Sequence, residues 1–126
     1  MTTSKAKIST SKEAFSKNEK QQQLLALILK TLEDIKAEEL STFQLSENSD
    51  IANIAIVCNG RSNRHVRSMA SNLALAIKTS RLAKAKIEND PKGEWVLIDT
   101  GNIVVHMMQS EVRKYYDLDA FILEAH

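Results

Sequence analysis

The stretch GEWVLIDTGNIVVHMM, Gly93 to Met108, followed directly by QSEVRKYYDLDAF, decides the reading of this chain. Two alternating apolar runs flank a Thr-Gly-Asn turn, and the first run holds the only tryptophan. With a two-residue turn at Thr100-Gly101 or at Gly101-Asn102, Trp95 lies opposite His106 or Met108, and Leu97 lies opposite Val104 or His106. Either register places Trp95, Leu97, Val104, His106 and Met108 on one face. Val96, Ile98, Ile103, Val105 and Met107 then form the other face, which is uniformly aliphatic and is the natural core side. The Trp95 face is ring- and sulfur-rich with polar tips. Trp and Met are enriched in protein interfaces, so this face reads as a contact surface, with cover by a C-terminal helix as the alternative.

Upstream, IANIAIVC (residues 51–58) is a nearly continuous apolar run, expected as a strand covered on both faces. Asn59-Gly60-Arg61-Ser62-Asn63 breaks it. Val66, Met69, Ala70, Leu73 and Ile77 follow with helical spacing, and Ser62 or Asn63 is available as N-cap. Residues 82–88 alternate small or apolar side chains with lysines, as an edge strand protected against aggregation would. Asn89 to Gly93 reads as a turn. Before the first strand, Leu24, Leu25, Leu27, Ile28, Leu32 and Ile35 mark an amphipathic helix from Gln21 to about Ala37. Leu40, Phe43 and Leu45 give a short strand over 38–45, and residues 47–50 form a polar turn. Residues from Ser110 onward read as one or two short helices. The order α-β-β-α-β-β-β-α gives an α/β or α+β class with a mixed sheet of about five strands flanked by helices.

At 126 residues the chain is expected to form one domain over residues 21–126, preceded by a flexible tail over 1–20 that is poor in apolar groups. No run reaches the length a membrane helix needs, and the N-terminus lacks a signal-peptide core. The single cysteine, Cys58, lies in the apolar strand, where a reduced thiol and a cytoplasmic setting are expected. The net charge of +1 conceals an asymmetry, because residues 1–20 hold five lysines against Glu13 and Glu19. The remainder has 12 bases and 14 acids, a net −2. That balance suits a basic protein partner better than a phosphate backbone, so direct nucleic-acid contact is expected to be minor or absent. Asp99 and Glu111 are the first acidic candidates for such a contact.

Three further features bear on chemistry. Gly60, Arg61, Ser62 and Arg64 stand at a strand–helix turn of the kind that can hold an anion, against the simpler reading of a capped helix with solvated arginines. Arg61, Arg64 and Arg67 oppose the helix dipole there, so an anionic neighbour would help. A nucleotidyltransferase would need an aspartate pair on a strand after such a turn. The one Asp-x-Asp spacing, Asp117 to Asp119, falls in the terminal helical segment and reads as a solvated face. His65, His106 and His126 lack metal-ligand spacing, and no metal or cofactor is expected. His106 beside Cys58 or Ser62 as a nucleophile pair has no supporting motif.

The segments LEDIKAEEL, IANIAIVCNGRSNRHVRSMA and GEWVLIDTGNIVVHMMQSEVRKYYDL occur in an order that resembles the bacterial ribosomal silencing factor family, RsfS, whose plant relative is Iojap. The resemblance runs from about Leu25 to Ala120 and rests on the ordered set Trp95, Asp99, Gly101, His106, Arg113 and Tyr116. The chain departs from the family pattern at Asn53-Ile54-Ala55, where Asp-Tyr-Phe is common, at Arg61, where Thr is usual, and at Phe121-Ile122, where Leu-Trp often stands.

The resemblance implies a nucleotidyltransferase-like fold without catalytic carboxylates. It implies a protein that binds the large ribosomal subunit on ribosomal protein fourteen of that subunit, prevents the small subunit from joining, and represses translation when nutrients are scarce. Tyr116 joins the partner surface on the same ground. Family members often pair as dimers, so a homodimer is a further expectation. The rival reading is a small nucleotidyltransferase-like enzyme that holds a phosphate at Gly60-Arg61-Ser62.

Overall fold

The structure, a computed structural model, describes residues 19–44, 54–92, 94–117 and 119–120. The expected turn at 47–50, the start of the second strand, most of the tail, and residues 121–126 with His126 lie outside the described residues. Helix α1 (Glu19–Asp34) leads into β1 (Glu38–Gln44) and β2 (Ile54–Asn59). Helix α2 (Asn63–Ser80) follows, then β3 (Lys86–Asn89), β4 (Trp95–Asp99), β5 (Ile103–Met108) and α3 (Ser110–Tyr116). The strands form one mixed sheet in the order β1-β2-β5-β4-β3. Only the β2–β5 pairing is parallel, and α2 lies within the long crossover that this pairing requires. The α+β class, the element order and the five-stranded mixed sheet agree with the sequence reading.

Alternation along the strands divides the core into two layers. On one face, Ile54, Ile56, Val96, Ile98, Ile103, Val105 and Met107 pack against Leu25, Ile28 and Leu32 of α1 and Val66, Met69, Leu73 and Ile77 of α2. This is the aliphatic side expected from the hairpin. On the other face, Phe43, Ala55, Val57 and Met108 form a smaller cluster, joined by Trp95 and by Val112 of α3. All six residues of β2 are therefore buried. Among the described residues, no helix is long and apolar enough to cross a membrane.

Several boundaries differ from the sequence reading for local reasons. Helix α1 ends at Asp34 rather than Ala37, because Lys36 takes a left-handed conformation (φ 66°) and the Ala37 N–H turns back to the Leu32 carbonyl. The edge strand begins at Lys86, not Leu82. Arg81 caps α2 in a left-handed turn and the Ser80 hydroxyl accepts from the Leu82 N–H. Leu82, Ala83 and Ala85 then pack against the core, which uses the small residues for close approach instead of for sheet pairing.

Gly60 ends β2 where a side chain has no room. A Cβ there would lie 2.8 Å from Val66 Cγ2 and 3.1 Å from the Val66 backbone nitrogen. Gly60→Ala should therefore destabilise the fold by about 1–3 kcal/mol, the usual cost of overpacking, measured as a lower urea midpoint. An unchanged midpoint would show that the start of α2 gives way freely.

Candidate functional site

The hairpin uses the Gly101-Asn102 turn. Trp95 pairs with Met108, Leu97 with His106 and Asp99 with Val104, while the Thr100 N–H donates to the Ile103 carbonyl at 2.9 Å. Gly101 carries φ +103°, a conformation that favours glycine. The Asp99 carboxylate accepts from the Gly101 N–H at 2.8 Å, so this acid first serves the turn.

On the face away from α1 and α2, four rings touch in series. The His106 and Trp95 centroids are 6.3 Å apart, as expected for diagonal neighbours on paired strands. Trp95 is 5.8 Å from Tyr116, and Tyr116 makes an edge contact with Tyr115 at 4.9 Å. Exposure rises along the series to 46% at Tyr116 and 81% at Tyr115. A ladder anchored in the sheet and ending in a solvent-exposed tyrosine costs little further entropy to fix on binding, which is what a protein-contact hot spot needs.

Two grooves flank the ladder. One, of about 210 Å³, is lined by Glu88, Asn89, Asp90, Trp95 and Leu97. The other, of about 420 Å³, is lined by Lys92, Glu94, Glu111, Val112, Tyr115 and Tyr116. Together they expose more acid than base. Asp90 is engaged locally, accepting from the backbone N–H groups of Lys92, Glu94 and Trp95 and so shaping the β3–β4 loop. In the second groove Glu94 and Glu111 outweigh Lys92, so its lining is net negative.

Helix α3 is held over the sheet by Arg113, 9% exposed. Its guanidinium donates to both Asp119 carboxylate oxygens at 2.9 Å, to the Glu39 carbonyl at 2.6 Å, to Asn59 Oδ1 at 3.1 Å and to Ser41 Oγ at 2.9 Å. Glu39 lies in the β-bulge of β1 with φ 50°, which turns its carbonyl toward Arg113. Asp117, left-handed at φ 48°, ends α3 and lets Asp119 fold back onto the arginine. The expectation of a solvated Asp117–Asp119 face holds for Asp117, which is exposed, and is corrected for Asp119: the hydrogen bond from Arg113 holds its carboxyl below its ordinary value.

The structure thus gathers Trp95, Leu97, Val104 and His106 on one half-buried face and adds Glu111 and Tyr116 through α3. Met108 is corrected from contact surface to core, because at 1% exposure it lies beneath Val112 and Trp95. The alternative of cover by a helix therefore holds for that end of the face only. Tyr115 and Glu94 line the same groove as Glu111 and Tyr116 and are not among the contact residues expected from the sequence. The Tyr115-Tyr116 pair beside Glu111 was the available signal.

The ring of His106 is half-buried, but its Nδ1 is sealed from solvent and has no hydrogen-bond partner among the described residues. Burial lowers its pKa to about 4, partly offset by the negative charge of Asp119. A histidine neutral in the native state and titrating near 6.5 when unfolded leaves the unfolded chain with more bound protons between those values. Stability should thus be fully present above about pH 6.5 and fall as pH drops toward 4. The difference in unfolding free energy between pH 7 and pH 5, on the order of 2 kcal/mol, should shrink in His106→Leu. Equal slopes in both proteins would show that burial does not lower the His106 pKa in the native state.

Cys58 does not face His106. Its side chain belongs to the α1/α2 layer, whereas His106 pairs with Val57 and shares the opposite side. Burial pushes the Cys58 thiol up to about 12, so it is an inert core group and no nucleophile pair forms. At the Gly60 turn, Ser62 is the N-cap, its Oγ accepting from the His65 N–H at 3.0 Å. The Arg61 N–H donates to His65 Nδ1 at 2.9 Å, which leaves Nε2 as the protonated nitrogen, donating to the Ile35 carbonyl. Two of the donors that would meet an anion are already used, and Glu38 lies 3.7 Å from the Arg61 guanidinium. Arg64 is exposed beside them.

Residues 18–125 match the family model described as "Ribosomal silencing factor during starvation". The chain belongs to the ribosomal silencing factor family. It is 41% identical over 96 residues to the ribosomal silencing factor RsfS of Zymomonas mobilis, covering 76% of this chain and 72% of that protein. A crystal structure of a Chromobacterium violaceum protein superposes with a TM-score of 0.72 at 35% identity, covering 79% of this chain and 83% of that one. A mouse protein named for mitochondrial assembly of the ribosomal large subunit is 24% identical over 96 residues, covering 74% of this chain and 42% of its own length. The ladder and Arg113 lie within the matched region of this chain.

Proposed function

We propose that this protein binds the large ribosomal subunit through ribosomal protein fourteen of that subunit and sterically blocks the small subunit from joining. On this reading it acts in the cytoplasm to repress translation under nutrient limitation, and it works by occupancy without turnover. The observation that carries the proposal is the ring ladder from Trp95 to Tyr115, with Glu94 and Glu111 beside it. Such a surface supplies aromatic anchors and a charge opposite to that of a basic ribosomal protein. Ribosome association is in keeping with the family name and with the mouse relative named for large-subunit assembly.

A subunit-joining assay tests the mechanism. Added to separated subunits, the protein should reduce the fraction of full ribosomes in proportion to its occupancy of the large subunit. Ribosomes already joined should resist it until they dissociate. Ser62→Ala should leave inhibition intact, since that hydroxyl caps α2 and is worth about 1 kcal/mol of stability. Inhibition that required a nucleoside triphosphate and consumed it would replace this reading with the enzyme one.

A further inference from the structure

A second surface lies on the opposite side of the sheet from the ring ladder. The C-terminal half of α2 and the extended segment 83–85 enclose a groove of about 700 Å³. Its floor is Ala74, Ala83 and Ala85, all half-buried against the core, and its wall includes Leu75, which is 61% exposed. Lys78, Arg81 and Lys84 line it, and no carboxylate does. Among the described residues none of these three cations has an ion-pair partner. This is notable in a domain whose residues beyond Lys20 sum to −2, since the local sign opposes that of the whole.

We propose that this groove docks an acidic amphipathic helix of a protein partner, independently of the contact made by Trp95. The apolar floor of small residues lets a partner helix approach closely and bury its aliphatic stripe beside Leu75. The three cations then select acidic residues flanking that stripe. Charge argues against the chain's own N-terminal residues, which carry a net +3 over positions 1–20. It argues equally against a symmetric dimer through this groove, which would set like charges face to face. A single nucleic-acid strand is less well matched, because among the groove's lining residues there is no aromatic platform for bases.

The test is a titration of the full isotope-labelled chain, followed by backbone amide shifts. The probes are a synthetic helical peptide with leucines at i, i+3, i+4 and i+7 and glutamates elsewhere, its counterpart with lysines for glutamates, and a uridine oligonucleotide. The glutamate peptide should give saturable shifts confined to residues 74–85, with the lysine peptide at least tenfold weaker. In the double variant Lys78→Glu, Lys84→Glu, both at exposed positions, the preference should reverse. No saturation by the glutamate peptide up to a millimolar concentration, or stronger saturation by the oligonucleotide, overturns the proposal. Because neither ribosomes nor the Trp95 face enter this assay, its failure would leave the subunit-blocking reading untouched.

Discussion

Replacing Arg113 by alanine should lower the unfolding free energy by about 2–3 kcal/mol, the cost of losing the charge-assisted hydrogen bonds of a buried guanidinium to mostly part-buried acceptors. Two strands and the chain beyond α3 converge on this side chain: the Glu39 carbonyl and Ser41 hydroxyl of β1, the Asn59 amide of β2, and Asp119. Arg113→Lys should recover little, because an ammonium cannot meet both Asp119 oxygens and the three other acceptors from one planar fork. Asp119→Asn should cost less than Arg113→Ala, since its side chain is 37% exposed and water can replace part of the contact. Asp119 titrates below its ordinary value, so its share of stability is present above about pH 4 and is lost as acid protonates it. Urea unfolding of the three variants at neutral pH measures the order. Near-equal stability of Arg113→Ala and the parent protein would mean that α3 is held by Val112 and Tyr116 alone.

Trp95→Ala should weaken binding to isolated large subunits by about 2 kcal/mol or more, roughly 30-fold, the scale of an interface hot spot. Some stability should be lost as well, because Trp95 also packs against the Met108 cluster. That loss should be smaller than for Ile98→Ala, which empties a fully buried site at a cost of about 2–5 kcal/mol. Tyr115→Ala separates the two effects. At 81% exposure its removal should leave the urea midpoint unchanged, yet it should still reduce subunit binding. Co-sedimentation on sucrose gradients measures the affinities. A Trp95→Ala protein that binds normally but melts early would show that the ring is core, and full binding by Tyr115→Ala would move the contact off the end of the ladder.

The periodic parts of the fold were legible from sequence because burial imposes a period on side chains. Val66, Met69, Leu73 and Ile77 repeat as a helix does and are all fully buried. Val96 and Ile98 face the same layer as Ile103, Val105 and Met107, as alternation required. The hairpin left two registers open, and the pairing of Thr100 with Ile103 chose the Gly101-Asn102 turn. The extent of β3 is not legible in the sequence, because alternation of alanine and lysine looks the same whether the small residues face a sheet neighbour or a helix.

The sequence by itself determined the element order, the aliphatic side of the sheet, a cap at Ser62 or Asn63 and the gathering of Trp95, Leu97, Val104 and His106 on one face, since each follows from neighbours a few residues apart. Tertiary structure alone decided that Met108 is core, that Tyr115 ends the ladder, and that Arg113 locks α3. The partners of Arg113 in β1 and β2 are 54 to 74 residues away in the chain. No local period encodes such a meeting. It arises when the β1 bulge, the end of β2 and the return of the chain after Asp117 place four acceptor groups around one buried guanidinium, whose charge could not otherwise leave water.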